Sequence, residues 1–267
     1  KDGKLYYTMR LIRGRALNEL LTETSSLSER LLMLRSVLDA CQAVAYAHSL
    51  GIVHRDLKPA NIMIGEFGET QVVDWGLARP STSQSGERWH EHVLESDPVR
   101  SVQGAVAGTP AYMSPEQASG ENADERSDVW GLGAVLYELL TGRPPFVGKT
   151  SREVLKKLRT RMPEPIGALV EDAPAELIAI TERALQRDPD ERYPDARELA
   201  ADMARYVDGR HVQAYSYTTS DRLRRFLSAW RVPITVAAIA LVAIVTIGVI
   251  GGSRTASERD RAQSAAQ

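Results

Sequence analysis

Apolar positions recur at Leu34, Val37, Leu38, Cys41, Val44, Ala45 and His48, the three-and-four spacing of one helix face. Ser26 and Glu29 stand in capping-box spacing ahead of this run, and Gly51 follows where a helix C-terminus is expected. Residues 5–9, LYYTM, read as a strand, and Gly14 breaks the pattern after them. Two short β-type runs, 61–64 and 70–73, flank the sequence GEFGE, which predicts a hairpin. Residues 126–140 are apolar and stop just before Gly142, the pattern of a buried helix. Further helices are predicted over 151–159, 175–186 and 195–206, the last opened by Asp195 and Glu198 in capping-box spacing. Residues 80–107 are polar with no period, so a long loop is expected there; loops of that length are usually functional or mobile. Residues 209–231 are polar and basic and read as a linker. The run 232–252 carries no charge; at 1.5 Å per residue its 21 residues reach about 31 Å, enough to cross a bilayer as a helix. The competing reading, a buried core helix, is disfavoured because core helices seldom run so far without a polar face.

Composition changes this picture little. The chain has 267 residues, 43% hydrophobic and 25% charged, with 33 basic and 35 acidic side chains and a net charge of -2. Those values exclude a disordered chain and give no reason to expect nucleic acid as a partner. The single cysteine, Cys41, cannot close an intrachain disulfide.

The chemistry is concentrated in a few segments: HRDLKPAN at 54–61, Asp74-Trp75-Gly76, GTPAYMSPEQ at 108–117 and DVWGLG at 128–133. In this order and spacing the chain resembles the eukaryotic-like protein kinases, specifically the bacterial serine/threonine branch. The resemblance covers roughly residues 4–208. It implies an α+β protein-kinase fold, with a hinge strand and a mainly helical large lobe, followed by a single transmembrane helix. The implied activity is transfer of the ATP γ-phosphoryl group to protein serine and threonine hydroxyls, with ATP and Mg²⁺ as cofactors.

The resemblance also assigns roles. Asp56 would orient the substrate hydroxyl and accept its proton, and Lys58 would hold positive charge against the transferring group. Asn61 and Asp74 would supply the oxygen ligands that a hard cation prefers, and the expected hairpin would bring them to one edge. His54 and Trp75 are expected to pack rather than react, Trp75 replacing the usual phenylalanine. Lys58 with Thr109 favours serine and threonine over tyrosine as acceptor. Ser114-Pro115-Glu116 replaces alanine-proline-glutamate, and Glu116 is expected to pair with Arg192. Asp128 is expected to hold the backbone of the catalytic loop. Met9 and Leu11 fall in the hinge that receives adenine, and Met63 where an apolar residue lies under the ring. Residues 74–116 form the activation segment, with Ser101, Ser96 and Thr82 as candidate phosphorylation sites. A phosphate on this segment would pair with Arg55.

No glycine-rich loop, strand lysine or helical glutamate precedes the hinge, and Lys1 is followed by no basic-then-apolar leader. The chain is therefore expected to be a piece beginning near the fifth strand of the small lobe and inactive without the rest. The domain organisation expected is a truncated kinase domain at 1–208, a juxtamembrane linker at 209–231, a transmembrane helix at 232–252 and a charged tail at 253–267. Because ATP is cytosolic, the kinase domain is placed in the cytoplasm and the chain in the cell membrane as a single-pass protein. The expected partners are protein substrates and the lipid bilayer, with self-association available for autophosphorylation. The rival function is a pseudokinase or scaffold without catalysis; the intact Asp56, Lys58, Asn61 and Asp74 argue against it.

Overall fold

In the computed structural model, residues 13–80, 110–217 and Thr246 are described. The expected strand at 5–9, the hinge residues Met9 and Leu11, Thr109, the candidate phosphorylation sites and, apart from Thr246, the apolar run 232–252 lie outside them. The chain divides into two units, Lys1–Tyr215 and Ser216–Gln267, and the elements below belong to the first. Among the described residues no helix is long and apolar enough to cross a membrane.

The element order begins with β1 (Arg15–Ala16), α1 (Leu17–Glu23), α2 (Leu27–Leu31), α3 (Leu34–Ser49), β2 (Ile52–Val53), β3 (Ile62–Ile64), β4 (Thr70–Val72) and β5 (Arg79–Pro80). It continues with α4 (Pro115–Ser119), α5 (Glu125–Thr141), α6 (Ser151–Thr160), α7 (Ile166–Leu169), α8 (Ala175–Ala184) and α9 (Ala196–Val207). The fold is α+β, mainly helical, as expected for a protein-kinase large lobe. Ser26 and Glu29 do form a capping box, but it opens the short α2 rather than the long helix. α3 starts afresh at Leu34 and ends where Gly51 turns at φ 70°. The predicted hairpin forms, with β3 pairing antiparallel to β4 in the register Ile62↔Val72, Met63↔Gln71 and Ile64↔Thr70. β1 pairs on the other side of β3, and β2 pairs separately with β5.

α5 is the axis of the core. Thirteen of its residues are buried, including Trp130 and Tyr137. Each large apolar side chain removed from water in this way contributes about 1.5–3 kcal/mol. α3 packs mainly on α9, and α8 packs on both α5 and α9. The G-x-G at Gly131 and Gly133 lies inside α5 and serves close approach. A Cβ at Gly131 would lie 2.9 Å from Leu57 Cβ, and one at Gly133 2.8 Å from Ala184 Cβ. Cys41 is fully buried 3.6 Å from Met203 Sδ, and burial pushes its thiol up to about 12. It stays protonated and packs as a small apolar group.

The packing of this body continues past the expected boundary at 208. Val212 is buried, and the backbone N–H groups of Gln213 and Ala214 donate to the two oxygens of Asp202 at 2.6 and 2.9 Å. Asp202, fully buried on α9, also accepts from the Tyr193 hydroxyl at 2.8 Å. The composition of 209–231 is polar and basic, which obscures Val212, Ala214 and Tyr215, the apolar residues that dock its first part.

Candidate active site

The segment between β2 and β3 is held chiefly by one carboxylate. Asp128, in the first turn of α5, is 1% exposed. Its Oδ2 accepts from the His54 backbone N–H at 2.7 Å and its Oδ1 from that of Arg55 at 2.8 Å. The His48 ring is 2.9 Å from Oδ2 through Nε2, while its Nδ1 is 3.2 Å from the Ala196 N–H. A backbone N–H only donates, so His48 Nδ1 accepts and Nε2 carries the proton given to Asp128. Asp128 thus hydrogen-bonds the backbone of two successive loop residues. The contribution of His48 was not visible in the sequence, where it read as one more residue of an apolar helix face.

Held this way, Arg55 adopts φ 71°. A non-glycine residue in that region costs about 1–3 kcal/mol and persists only where its surroundings impose it. The turn presents Asp56, whose carboxylate Oδ2 accepts from Lys58 Nζ at 2.6 Å and from Asn61 Nδ2 at 3.3 Å. Asn61 Nδ2 also donates to the Asp56 carbonyl at 2.8 Å. With its nitrogen turned toward Asp56, Asn61 keeps its side-chain oxygen for a cation. The Val73 N–H donates to the Asn61 carbonyl at 2.9 Å, which extends the hairpin by one pair and sets Asp74 beside Asn61 on the same edge. Asp74 is itself left-handed at φ 63°. Its carboxylate has no hydrogen bond or ion pair among the described residues. Two oxygen donors on adjoining strand ends fit Mg²⁺, which takes few protein ligands and completes its shell with water and phosphate.

His54 is fully buried; its Nδ1 accepts from the Asp56 N–H at 3.3 Å and its Nε2 lies 3.1 Å from the Val73 carbonyl, which makes it the Nε2–H donor there. The Trp75 ring tilts at 54° against it with centroids 4.5 Å apart, and Trp75 Nε1 donates to Val72 at 3.0 Å. Both rings pack against one another. Met63 is half-buried in β3 opposite Gln71. Arg55 places its guanidinium on the Ala123 carbonyl at 3.0 Å, with Nε buried and without a partner among the described residues. Burial lowers its pKa, and the nearby Arg79 charge lowers it further.

Glu116 and Arg192 form the expected pair, bidentate at 2.8 and 2.9 Å. Ser127 Oγ donates to the same carboxylate at 2.6 Å, and Arg192 also donates to the carbonyls of Gln186 and Arg126 at 2.7 and 2.9 Å. Burial alone would raise the Glu116 carboxyl, but Arg192 and Ser127 outweigh it and the pKa is lowered. The guanidinium lies 5.0 Å from the Trp130 ring centroid. Nearby, the Tyr112 hydroxyl donates to Glu138 Oε2 at 2.5 Å. Burial raises the Glu138 carboxyl and, with Glu138 beside it, the Tyr112 phenol. The Tyr112–Glu138 contact joins residues 26 apart and had no sequence signal.

A strained loop carrying an Asp–Lys–Asn cluster, two oxygen donors on a hairpin edge and a buried Glu–Arg clamp define the large lobe of a protein kinase. Residues 1–203 match the protein kinase domain family, and the chain belongs to it. The chain is 38% identical to the serine/threonine-protein kinase PknD of Protochlamydia amoebophila over 226 residues, covering 77% of this chain and 22% of that protein. It is 37% identical to PknB of Mycolicibacterium smegmatis over 224 residues, covering 84% of this chain and 34% of that protein. A probable serine/threonine-protein kinase of Streptomyces coelicolor is 39% identical over 210 residues, covering 78% of this chain and 29% of that protein. These relatives put the chain in the bacterial serine/threonine branch, and it spans 22–34% of their lengths.

Removing one member of the buried clamp should be severe. Arg192→Ala leaves Glu116 buried and unpaired, at an expected cost of about 3–5 kcal/mol near neutral pH. A lowered folded pKa means that the pair's stabilisation is present above the ordinary glutamate value of 4.5 and is lost as pH falls through the lowered value. The gap between wild type and Arg192→Ala in urea unfolding should therefore shrink on acidification. A gap that is constant from neutral to acid pH would contradict it.

Proposed function

We propose that this chain is the hinge and large lobe of a membrane-anchored serine/threonine protein kinase that transfers the γ-phosphoryl group of ATP to protein hydroxyls. The observation that carries the reading is the Asp56 carboxylate. It is paired to Lys58 at 2.6 Å on a loop whose backbone is fixed by buried Asp128. Asp56 accepts the proton of the incoming serine or threonine hydroxyl, and Lys58 balances charge beside it. The Lys58 ion pair keeps the Asp56 carboxylate oriented between turnovers. Asn61 and Asp74 would hold Mg²⁺, which neutralises charge on the ATP phosphates when bound. Met9, Leu11 and Met63 are the proposed adenine contacts, and Thr109 the residue that favours serine and threonine acceptors. ATP binding and transfer are proposed to need small-lobe parts that residues 1–12 do not supply. In the full-length protein, Asp56→Ala should abolish transfer of radiolabelled phosphate from ATP while leaving the fold intact. Activity near wild type in that variant would remove Asp56 from its role and favour the scaffold reading.

A phosphate on the activation segment, at Ser101, Ser96 or Thr82, is proposed to neutralise Arg55. Arg55 and Arg79 place two cations close together, and strand pairing sets Arg79 opposite Val53, next to the catalytic loop. A dianion there would relieve their repulsion and offer an acceptor to Arg55 Nε, which has none among the described residues. Mass spectrometry of active full-length enzyme should find phosphate between residues 81 and 101; none in that window would refute the reading.

Anchoring rests on the uncharged run 232–252, preceded by Arg222, Arg224, Arg225 and Arg231. Arg254, Arg259 and Arg261 follow it, so the charge preference for a cytoplasmic N-terminal side is slight; the stronger reason is that a working kinase domain needs cytosolic ATP, with residues 253–267 then beyond the membrane. The protein should stay in the membrane pellet after alkaline carbonate extraction and become extractable when 232–252 is deleted. Extraction of the intact protein would rule out a spanning helix.

A further inference from the structure

The peptide joining Arg55 to Asp56 leads directly into the residue proposed to accept the substrate proton. Both of its polar atoms are held, and so is the N–H of the peptide just before it. Arg55, left-handed at φ 71°, gives its N–H to Asp128 Oδ1, and the Asp56 N–H reaches His54 Nδ1 at 3.3 Å. The third hold is on the Arg55 carbonyl, which accepts from Gln117 Nε2 at 2.8 Å across 62 residues of chain.

Gln117 stands at the third position of α4, and its two amide atoms have separate tasks. Its oxygen closes a capping box: Oε1 accepts from the Ser114 N–H at 3.1 Å and from the Ser114 hydroxyl at 3.0 Å. Its nitrogen alone reaches the catalytic loop. The opposite amide orientation would set Nε2 against the Ser114 N–H and Oε1 against the Arg55 carbonyl, so the neighbours dictate the assignment. Gln117 also lines the small cavity shared by Arg55, Asp56, Tyr112 and Gly131.

We infer that Gln117 is a positioning residue for phosphoryl transfer, coupling the start of α4 to the orientation of Asp56 through the Arg55 carbonyl. It touches neither substrate nor cofactor in this role. Without its N–H donor the strained Arg55 peptide loses its only side-chain hold on the carbonyl side among the described residues. Asp56 then samples orientations that do not meet the hydroxyl. The inference rests on the proposed role of Asp56 as proton acceptor.

Gln117→Glu separates the two tasks. A glutamate at this helix position still accepts from Ser114, as capping boxes commonly do, but turns an acceptor toward the Arg55 carbonyl. In the full-length kinase the thermal midpoint should stay near wild type, kcat should fall by about tenfold or more, and KM for ATP should change by less than about twofold. Ser114→Ala removes the cap and spares the bridge, so it should lower the thermal midpoint with kcat retained. Wild-type kcat in Gln117→Glu, or an equal loss of kcat in Ser114→Ala, would overturn the inference. Asp56→Ala assayed alongside distinguishes the two levels. If it is inactive while Gln117→Glu is fully active, only the role of Gln117 fails; if it is active, the role of Asp56 fails first.

Discussion

The Asp128 carboxylate is the joint on which the rest of the lobe turns. Burying an ionised group this deeply is costly unless every lone pair is engaged. Here two backbone N–H groups of the catalytic loop and the His48 ring engage it, and its place in the first turn of α5 adds the favourable end of a helix dipole. Through His48, which takes a hydrogen bond from Ala196, the same charge ties α3 to the start of α9. One side chain therefore sets the catalytic loop on the helical core and forces the φ 71° at Arg55 that turns Asp56 outward.

A second buried charge works beside it. Arg192, 2% exposed, clamps Glu116 and gathers the carbonyls of Gln186 and Arg126. Glu116 lies in the first turn of α4, so this clamp fixes α4 to the start of α5. Gln117, the next residue, then spans from α4 to the Arg55 carbonyl. The two buried charges and the amide between them make α4, the catalytic loop and α5 one mechanical unit. The open side of that unit carries Asp56, Lys58, Asn61 and Asp74, the groups able to meet phosphate, metal and hydroxyl.

Much of this was legible in the sequence, and the exceptions have physical causes. α3, α5, α6, α8 and α9 are amphipathic or wholly buried helices of ten residues or more, α5, α6 and α9 with side-chain caps, and the hairpin has a glycine-bearing turn, so local patterns revealed them. The short elements did not show: α1 and α7 have no side-chain cap, α4 spans five residues, and β1, β2 and β5 are two-residue pairings set by distant partners. In the site, Asp56, Lys58, Asn61, Asp74, Glu116, Asp128 and Arg192 were recognisable from motif order. His48, Gln117 and the Tyr112–Glu138 contact were not, because each acts through a contact between residues far apart in the chain.

Amide hydrogen exchange at His54 and Arg55 in Asp128→Asn tests the joint most directly. An amide replaces one carboxylate oxygen, so one acceptor becomes a donor facing a donor. Loss of protection at these two N–H groups, with α8 and the hairpin β3–β4 still protected, is expected. Protection at His54 and Arg55 equal to wild type would contradict the claim that Asp128 holds the catalytic loop.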